Sequence, residues 1–503
     1  MPNLEKSKWL GLIGISIAGF LGCLDLTIVN TALPAIQSDL KISVIQLQWI
    51  MTSLLLALTA FMVISGKLAD IFGRKLCLFL GMILFALASL GVGFCSGINL
   101  LIFFRFLQGI AIAVLYTAPI ALIPNLFPEH QRGRATGLLI SANGLGLALG
   151  PVIGGFIVST IGWRWIFFIN PPIILISLLL SWSNVTESKH PSSTQKIDWL
   201  GFILIIISIP CLILALVQGA MWGWLSDKII ILLLIAIIGL VLFYFVENKI
   251  SAPIIEFHLF ANRIFLIGLA ANFSLALSYA IDFFLIPLYL HFIKGLSGYQ
   301  IGFSLLPATF MVAALSSITG KIVDKRGPKA ILSFGLLMFF ISALLQSQFG
   351  VNTPLYLILF AYLLFGIGWA CILGPSIVAA LSSLPQESAG VGMGTLGTLH
   401  NLGGAIGLAV GTLIYNILSK NNLQDLLNQR SIHAKAWTKE ATANIDNAIQ
   451  IIKNNTGLKL EEVTAIFQHY FLKGYQGAIL LIAIASLAAF IAVIVGIKAP
   501  KAR

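Results

Sequence analysis

Three ionisable residues lie deep inside long apolar stretches of the sequence, namely Asp25, Arg105 and Asp282. An ionised side chain at the centre of a lipid bilayer costs roughly 2.5–3.5 kcal/mol even on the insertion scale with the lowest penalties. Such residues are therefore functional by default. A carboxyl group held between burial, which disfavours its charge, and an arginine, which favours it, can load and release a proton. We interpret Asp25 as a proton-coupling group with Arg105 as its partner.

The depths of Asp25 and Arg105 in the predicted membrane agree. Asp25 lies 16 residues after Trp9, about 24 Å above the inner boundary at a rise of ~1.5 Å per residue. Arg105 lies five residues below the outer end of its own stretch, about 22 Å above that boundary if the hydrocarbon core is ~30 Å thick. This agreement permits a direct or water-mediated pair. The alternative is a permanent pair that only satisfies two buried charges.

Asp282 and His400 are two further candidates for proton coupling. Asp282 is predicted nearer the outer end of its stretch, where the alternative is contact with water on the outer face. His400 lies at middle depth beside Asn401, and an imidazole titrates near neutral pH. A neutral histidine that forms a hydrogen bond across helices is an equal alternative.

Six polar or aromatic residues at middle depth could line a substrate cavity. Each of them alone is more often a packing residue than a ligand contact. A large apolar cavity with few charges fits lipophilic substrates, including lipophilic cations. The six residues are Gln108, Tyr116, Asn143, Asn272, Tyr279 and Trp369.

The elements that position these residues must be membrane helices. Of the 503 residues, 58% are hydrophobic and only 10% are charged, whereas soluble domains carry about 25% charged residues. Apolar runs of about 20 residues predict fourteen spans, the first at Trp9–Ile36 and the last two at Ala389–Leu418 and Gly477–Ile497. The first run is too long for a signal peptide and is read as a retained span. The predicted fold class is an all-α polytopic membrane protein.

The basic residues predict the orientation of these spans. With both termini inside, the inner loops and tails carry 18 Lys or Arg residues, and the short outer loops carry four. This bias places both termini in the cytoplasm. It also explains the net charge of +12 without nucleic acid as a partner. The five cysteines form no CxxC pair, so neither a disulfide framework nor a metal site is expected.

An internal repeat divides the spans into two similar halves. The segment 66–75 recurs in weaker form at 320–329, an offset of 254. Asp25 and Asp282 are 257 residues apart, and a line of glycines recurs at the same offset of 257. The expected organisation is an N-terminal six-helix bundle at 1–183, two inserted helices with their loops at 184–262, and a C-terminal bundle at 263–503 with an outer loop at 419–472. Two such halves can rock around a shared cavity, which is alternating access.

The segment 66–75 is a candidate gating loop, with Gly66, Asp70, Gly73, Arg74 and Lys75 as its main residues. Gly73 permits a tight turn between two spans. The charged residues can form a cluster with nearby helix ends and so favour one access state. The alternative is a simple positive anchor on the inner face, and both roles are compatible.

The glycine line of the fifth span contains Gly146, Gly150, Gly154 and the adjacent Gly155, with Pro151 inside it. Glycines spaced four apart give a helix a flat face that permits close backbone contact. Pro151 removes a backbone donor and weakens the helix. We predict a slightly bent sliding surface between the halves. The alternative is static packing.

Five ordered motifs resemble those of the fourteen-span drug:proton antiporter branch of the major facilitator superfamily. The resemblance implies the major facilitator fold, with two six-helix bundles and two additional helices, in a bacterial inner membrane. It also implies proton-coupled export of lipophilic or cationic compounds, driven by the proton gradient without a cofactor. The motifs are Leu24–Pro34, Gly66–Lys75, Arg105–Gly109, Gly146–Gly155 and Gly162–Asn170.

Carried over by position, the resemblance assigns Asp25 and Arg105 to proton coupling and the Gly150–Pro151 region to antiport. It assigns Asp70 and Arg74 to gating. One departure is His400, where the family often has arginine ahead of the glycine line. This exchange could alter the substrate preference or the pH range of coupling.

Two alternatives concern the cargo and the class of protein. The cargo could be one endogenous metabolite, such as a siderophore. A membrane enzyme is disfavoured because HExxH, nucleophile-elbow and phosphate-loop motifs are missing from the sequence and because an enzyme does not explain the repeat.

The polar outer segment 419–472 is a candidate docking site for a periplasmic adaptor protein, which relatives in double-membrane bacteria often use. A solvated loop with a short amphipathic helix near Val463–Phe471 is the favoured alternative.

Overall fold

A computed structural model describes residues 2–41, 44–188, 198–250, 254–255, 257–296, 298–385, 388–430, 432, 437–438, 441 and 448–496. Every regular element within these ranges is helical. The α-helices are α1 (Pro2–Ile28), α2 (Leu33–Leu40), α3 (Val44–Phe72), α4 (Arg74–Phe94), α5 (Ile98–Leu126), α6 (Glu129–Thr160), α7 (Trp165–Phe168), α8 (Asn170–Asn184), α9 (Trp199–Trp222), α10 (Asp227–Glu247), α11 (Arg263–Phe292), α12 (Gly298–Arg326), α13 (Pro328–Gln346), α14 (Leu355–Ser382), α15 (Ala389–Asn428), α16 (Ala448–Thr456) and α17 (Leu460–Gly496).

The helices have the lengths and compositions that a bilayer requires. Thirteen spans among the described residues are long and apolar enough to cross it, with α7 and α8 together forming one. Helix α6 supplies a fourteenth as a pair of segments, Glu129–Leu147 and Val152–Thr160, that meet at an angle of 41°. In the sequence Pro151 falls between these two segments, and a proline has no backbone N–H to donate to a helix. The predicted all-α membrane fold is confirmed, and the count of fourteen agrees when α6 is one bent span.

Two large apolar cores correspond to the two halves of the repeat. The first is built mainly from α1 and α3–α8, and the second from α11–α17. Large apolar side chains on the outward faces, such as Leu80, Phe156, Leu179 and Ile238, are exposed as lipid contact requires. The two bundles and the two additional helices of the expected fold are therefore present.

The inserted helices α9 and α10 cover one of the two seams between the bundles. Phe202 and Ile205 of α9 and Phe243 of α10 belong to one buried cluster with Val63 of α3 and Ala405 of α15, and α10 packs on α9. Helices α3 and α15 belong to different bundles. The other seam, where α6 meets α12, is formed without the inserted pair.

Three predicted span ends need correction. The first span was expected to continue to Ile36, but α1 ends at Ile28 and a short 3₁₀ turn, Val29–Ala32, leads into α2. The thirteenth span continues to Asn428, and the last begins at Leu460 instead of Gly477.

The expected outer loop 419–472 is therefore largely helical in its described parts. Leu423 and Leu427 of α15 pack in the same buried cluster as Phe467 and Tyr470 of α17. These side chains continue the bundle core past the predicted membrane boundary, and their helical spacing keeps both helices intact. The amphipathic segment Val463–Phe471 is accordingly part of α17 and does not form a separate short helix.

Candidate functional site

The predicted ion pair forms in the interior of the N-terminal bundle. Arg105 Nη1 of α5 lies 2.5 Å from Asp25 Oδ2 of α1, and both side chains are fully buried. The depths calculated from the sequence therefore identified the correct pair of helices, α1 and α5. Their role in proton coupling stays a prediction.

Arg105 forms several contacts besides its ion pair with Asp25. Its Nη1 also donates to Gln108 Oε1 at 2.9 Å, and its Nε donates to the backbone carbonyl of Ile50 on α3 at 3.4 Å. The guanidinium lies over the ring of Phe167, 5.9 Å from the ring centre. Nη2 is buried, and no described residue accepts a hydrogen bond from it. The guanidinium is therefore held by a carbonyl, an amide and a ring in addition to the Asp25 carboxylate.

Gln108 belongs to this charge cluster in the conformation described here, and its assignment to a substrate cavity stays a prediction. Its Nε2 donates to Asp25 Oδ1 at 3.4 Å and to Ser89 Oγ of α4 at 2.8 Å. Asn170 of α8 also donates to Ser89 Oγ, at 3.2 Å. Ser89 and Asn170 were missed as site residues. A polar residue in mid-span and the last residue of the Gly162–Asn170 motif were the available signals.

Asp282 occupies the matching place in the C-terminal bundle and is fully buried. The alternative that it touches water on the outer face is therefore wrong for this conformation. The hydroxyl of Tyr362 on α14 donates a short hydrogen bond to Asp282 Oδ2. Gln346 and Tyr475 lie close enough to Asp282 to interact with it. Oδ1 has no partner of hydrogen-bond geometry among the described residues.

His400 takes part in a polar contact across helices. Its Nδ1 lies 2.7 Å from Asn272 Oδ1 on α11, so Nδ1 carries the hydrogen in this contact. Asn272 in turn donates to Ser376 Oγ of α14 at 3.0 Å. The geometry matches the reading of His400 as a neutral hydrogen-bonding residue.

Aromatic rings form a wall beside this contact. Tyr279 and Trp369 are stacked, with ring centres 5.2 Å apart and planes 9° from parallel. Tyr279 also lies 5.6 Å from the His400 ring. In the part of the chain that the structure covers, Trp369 Nε1 has no acceptor. Tyr116 of the N-terminal bundle is close enough to interact with Tyr279 across the seam.

Of the six cavity candidates, Asn272, Tyr279 and Trp369 thus lie together in the C-terminal bundle, and Tyr116 faces this group from the N-terminal bundle. Their role as substrate contacts stays a prediction. Asn143 differs, because its Oδ1 packs against the backbone of Gly19 on α1 and is buried there. That oxygen accepts no hydrogen bond from a described residue.

The gating segment forms a contact between the bundles. Asp70 Oδ1 accepts from Arg74 Nη2 at 2.8 Å, and Asp70 Oδ2 accepts from the backbone N–H of Val391 at 3.0 Å. Val391 lies in the first turn of α15, where unpaired N–H groups and the helix dipole favour a carboxylate. Arg74 also donates to the carbonyl of Ala121 at 3.1 Å.

The repeat supplies a second contact of the same kind. Asp324 at the end of α12 accepts from the backbone N–H groups of Gly133 at 2.7 Å and Arg134 at 2.9 Å. Both donors lie in the first turns of α6, in the other bundle. We call the Asp70–Val391 and Asp324–Gly133/Arg134 contacts the two latches, and the end of the molecule that holds them the latch end.

The turn within the gating segment is a single residue. Gly73 lies between α3 and α4 with φ of +118°, a conformation that other residues rarely adopt. The Glu187 carboxylate accepts from the backbone N–H groups of Lys75 and Leu76, both at 3.0 Å, and so caps α4. Gly66 lies inside α3 and is buried there.

The glycine line of α6 does not lie between the bundles, which corrects the predicted sliding surface. An added Cβ at Gly150 would lie 2.9 Å from the backbone nitrogen of Ile28 on α1, and one at Gly154 would lie 2.7 Å from the carbonyl oxygen of Ile28. Gly146 packs on the carbonyl of Phe20 of the same helix. All these contacts are within the N-terminal bundle. Gly155 is exposed, and no described atom lies within 4 Å of a Cβ placed there.

The bundles meet at the latch end through other small residues. The backbones of Gly133 and Gly320 are in contact, and a Cβ at Gly137 would lie 2.9 Å from Ser317 Cα of α12. A cavity of about 310 Å³ remains at this end, between α5 and α6 on one side and α12–α14 on the other. Arg132 and Asp324 are among its lining residues.

Two similar membrane bundles, a buried charge cluster in one and a matching buried carboxyl group in the other define a transporter whose halves are related by a repeat. The family model described as Major Facilitator Superfamily matches residues 15–408. The chain belongs to this superfamily of transporters, as the sequence motifs implied.

The relatives include named exporters and a vitamin transporter. The chain is 32% identical to Multidrug resistance protein 3 of Bacillus subtilis, over 84% of this chain and 82% of that protein. It is 31% identical to the riboflavin transporter RibZ of Clostridioides difficile, over 80% of this chain and 87% of that protein. It is 28% identical to the tetracenomycin C resistance and export protein of Streptomyces glaucescens, over 81% and 76% respectively.

Solved structures support the same fold. The human organic anion transporter MFSD10 superposes with a TM-score of 0.60 at 14% identity, covering 97% of this chain and 99% of that one. The proton:xylose symporter XylE superposes with a TM-score of 0.59 at 15% identity, covering 95% of each chain.

Proposed function

We propose that the protein is a proton-coupled antiporter that exports small lipophilic or cationic compounds by alternating access. The observation that carries the proposal is the fully buried Asp25–Arg105 pair, because a proton can open it. A relative named for resistance and export supports the direction, and one named for multidrug resistance supports the cargo, both at about 30% identity. No cofactor is needed, since the proton gradient supplies the driving force.

Protonation of Asp25 removes one charge of the pair. Breaking a buried ion pair by losing one partner costs about 3–5 kcal/mol. Arg105 keeps its contacts with Gln108, Ile50 and the Phe167 ring, so the loss falls mainly on the position of α1 against α5. A proton on Asp25 therefore favours a different packing of these helices, which links proton binding to the access state.

The two latches determine which side of the transporter is closed. We place the latch end in the cytoplasm, because Arg74, Lys75, Arg132 and Arg134 cluster there and basic residues favour the inner face. Both termini then lie in the cytoplasm of a bacterium with the protein in its inner membrane. The conformation described here is closed towards the cytoplasm, and protons enter Asp25 from the outer side.

The proton-coupled cycle follows from these elements. Outside, a proton binds Asp25 and the substrate leaves. The latches then separate, the cavity opens to the cytoplasm, and the proton is released as the next substrate binds. Tyr116, Tyr279 and Trp369 offer aromatic surface to an apolar substrate between the bundles.

A second candidate cargo is a single metabolite. The 31% identity to a riboflavin transporter over most of both chains favours this reading. Susceptibility tests with a deletion strain separate the two candidates. Unchanged susceptibility to every drug, with altered export of one metabolite, favours the dedicated exporter.

The helical extensions of α15 and α17 project beyond the predicted outer boundary, and we propose them as the surface for a periplasmic adaptor protein. Reversing the charges of the exposed Lys453, Glu461 and Glu462 should leave transport in vesicles unchanged while resistance in whole cells falls. Unchanged resistance in cells would show that this segment docks no adaptor.

The test of proton antiport uses everted vesicles and a fluorescent dye substrate. Asp25→Asn should abolish dye uptake driven by a pH gradient, while protein levels and dye binding persist. Asp39→Asn is the matched control, because Asp39 lies in the same bundle in an exposed pair with Arg164. Full uptake by the Asp25 variant would remove this carboxyl group from the mechanism.

A further inference from the structure

The repeat relates the Asp25–Arg105 pair to a second pair in the C-terminal bundle. Asp282 lies 257 residues after Asp25, and Tyr362 lies 257 residues after Arg105. Gln346 lies 257 residues after Ser89, the α4 hydroxyl of the first cluster. Each bundle therefore brings together a carboxyl group, a residue of the fourth helix and a polar residue of the third, with arginine replaced by tyrosine in the second bundle.

The exchange of arginine for tyrosine leaves Asp282 without a counter-charge. Among the described residues, Asp282 forms no ion pair, and the groups that face it are neutral. These groups are the phenols of Tyr362 on α14 and Tyr475 on α17 and the amide of Gln346 on α13. A buried carboxylate without a counter-charge costs several kcal/mol, so the neutral acid is the stable form here.

The unpartnered Oδ1 of Asp282 supplies the atom that can hold this proton. Tyr362 donates to the other oxygen and would stabilise the carboxylate when the proton leaves. We propose that Asp282 with Tyr362 is a second proton-binding site, and that each transport cycle exchanges the substrate for two protons, one carried by each bundle.

A line of polar side chains runs from this site towards the end of the molecule opposite the latches. The Tyr475 hydroxyl donates to Gln346 Oε1 at 3.0 Å, and the Tyr475 ring is stacked on that of Tyr289 at 5.1 Å. The Tyr289 hydroxyl donates to the carbonyl of Gly350, in the loop between α13 and α14, at 2.9 Å. Rotation of these phenols would let water reach Asp282 from the outer side. The proton from outside then binds Oδ1 and leaves from it to the cytoplasm.

The inference rests on the proposed antiport, and the proton count tests it separately. In proteoliposomes with the membrane potential clamped at zero, a gradient of one pH unit should hold a substrate ratio of about 100-fold for two protons and about 10-fold for one, since each proton contributes a factor of ten. We expect about 100-fold for the wild type and about 10-fold for Asp282→Asn. Ser274→Ala is the control, because Ser274 is a buried residue of the same helix whose hydroxyl forms no hydrogen bond to a described residue. It should keep the 100-fold ratio.

Tyr362→Phe keeps the carboxyl group and removes its hydrogen bond. This variant should retain the 100-fold ratio with a changed pH dependence of the rate. If Asp282→Asn folds but does not transport, infrared difference spectra between acidic and alkaline pH replace the flux measurement. The stretching band of protonated carboxyl groups should then lose intensity in Asp282→Asn, where only Asp25 is left to bind a proton, and also in Asp25→Asn, where only Asp282 is left. An unchanged band in Asp282→Asn would overturn the second proton site.

Each outcome decides between the proposals. A wild-type substrate ratio that does not change with the pH gradient overturns proton antiport itself. A wild-type ratio near 10-fold, or an Asp282→Asn ratio that stays near 100-fold, overturns the second proton site alone. If Asp282→Asn keeps the ratio for neutral substrates and loses affinity only for cationic ones, Asp282 is a substrate anchor and the inference is wrong.

Discussion

The Asp324 latch offers a direct test of how the latch end is held shut. Asp324 accepts two backbone N–H groups from α6, at 2.7 and 2.9 Å. Hydrogen bonds to a charged group contribute about 1.5–3 kcal/mol, and partial solvent exposure reduces this. Asp324→Asn keeps one acceptor and loses the charge, so we expect a loss of about 1–2 kcal/mol. This corresponds to a shift of about 5- to 30-fold from the closed to the open state.

The assay measures how often the latch end opens. Ser316 of α12 is buried at the seam, where α6 packs against it. In a chain without its native cysteines, Ser316→Cys should react with a membrane-impermeant maleimide about 5- to 30-fold faster when Asp324 is changed to Asn. Lys249→Cys, at an exposed position just after α10 and outside both latches, is the control probe and should react equally fast in both backgrounds.

A matched control replaces an acid that does not join the bundles. Asp227→Asn removes a carboxylate from the first turn of α10 and should leave the Ser316→Cys rate unchanged. Both latches favour the closed over the open state, so their contributions to this equilibrium should add. The double variant Asp70→Asn/Asp324→Asn should therefore open more often than either single variant. An unchanged rate in a folded Asp324→Asn protein would refute the latch.

Three further predictions concern packing, pH and the buried pair. In Gly150→Ala the added methyl group should overlap α1, so the protein should lose about 1–3 kcal/mol of stability and most of its transport. Gly155→Ala has open space around the added methyl group and should change neither property. Thermal unfolding and dye efflux measure the two properties. Hydrogen bonds from Arg164 and Trp163 lower the pKa of Asp39. The stability that this contact gives the folded protein is fully present above the unfolded pKa of about 4, and it is lost only as the pH falls through the lower folded pKa. Asp39→Asn should therefore leave the pH profile of transport unchanged between roughly pH 5 and 8, and a shifted profile would contradict this. Arg105→Ala should destabilise the protein by about 3–5 kcal/mol, because it leaves Asp25 buried without a counter-charge. Adding Asp25→Asn to this variant should restore part of the melting temperature. If it does not, the unpaired charge is not the cause of the lost stability.

Much of the fold and half of the first site followed from the sequence, because hydropathy and helix rise determine them. Apolar runs of about 20 residues gave the spans, and depth along α1 and α5 brought Asp25 and Arg105 together. The offset of 257 related the two bundles. Each of these inferences uses position along the membrane normal, which the sequence records directly.

The sequence could not determine which helices lie beside each other or which way each side chain points. The contacts of the Gln108 amide, which joins Asp25 to Ser89, were not predicted. Tyr362 was not recognised as a site residue, since only the spatial packing of α14 on α11 shows that it meets Asp282. The helical extension of α17 was missed because its polar residues lower the hydropathy of a segment whose other face is buried.

The glycines of α6 and α15 explain how two bundles can rock while each stays intact. The half of α6 nearer the latch end packs on α12 of the other bundle at Gly137, whereas its other half packs on α1 of its own bundle at Gly150. Helix α15 repeats this arrangement, with Gly394 against α3 and Gly407 against α11. Each helix thus changes partners halfway along its length, and in α6 the change lies close to the 41° bend. Opening the latch end requires only the inter-bundle contacts to separate, because the close glycine contacts in the other halves hold α6 and α15 to the bundles that carry Asp25 and Asp282.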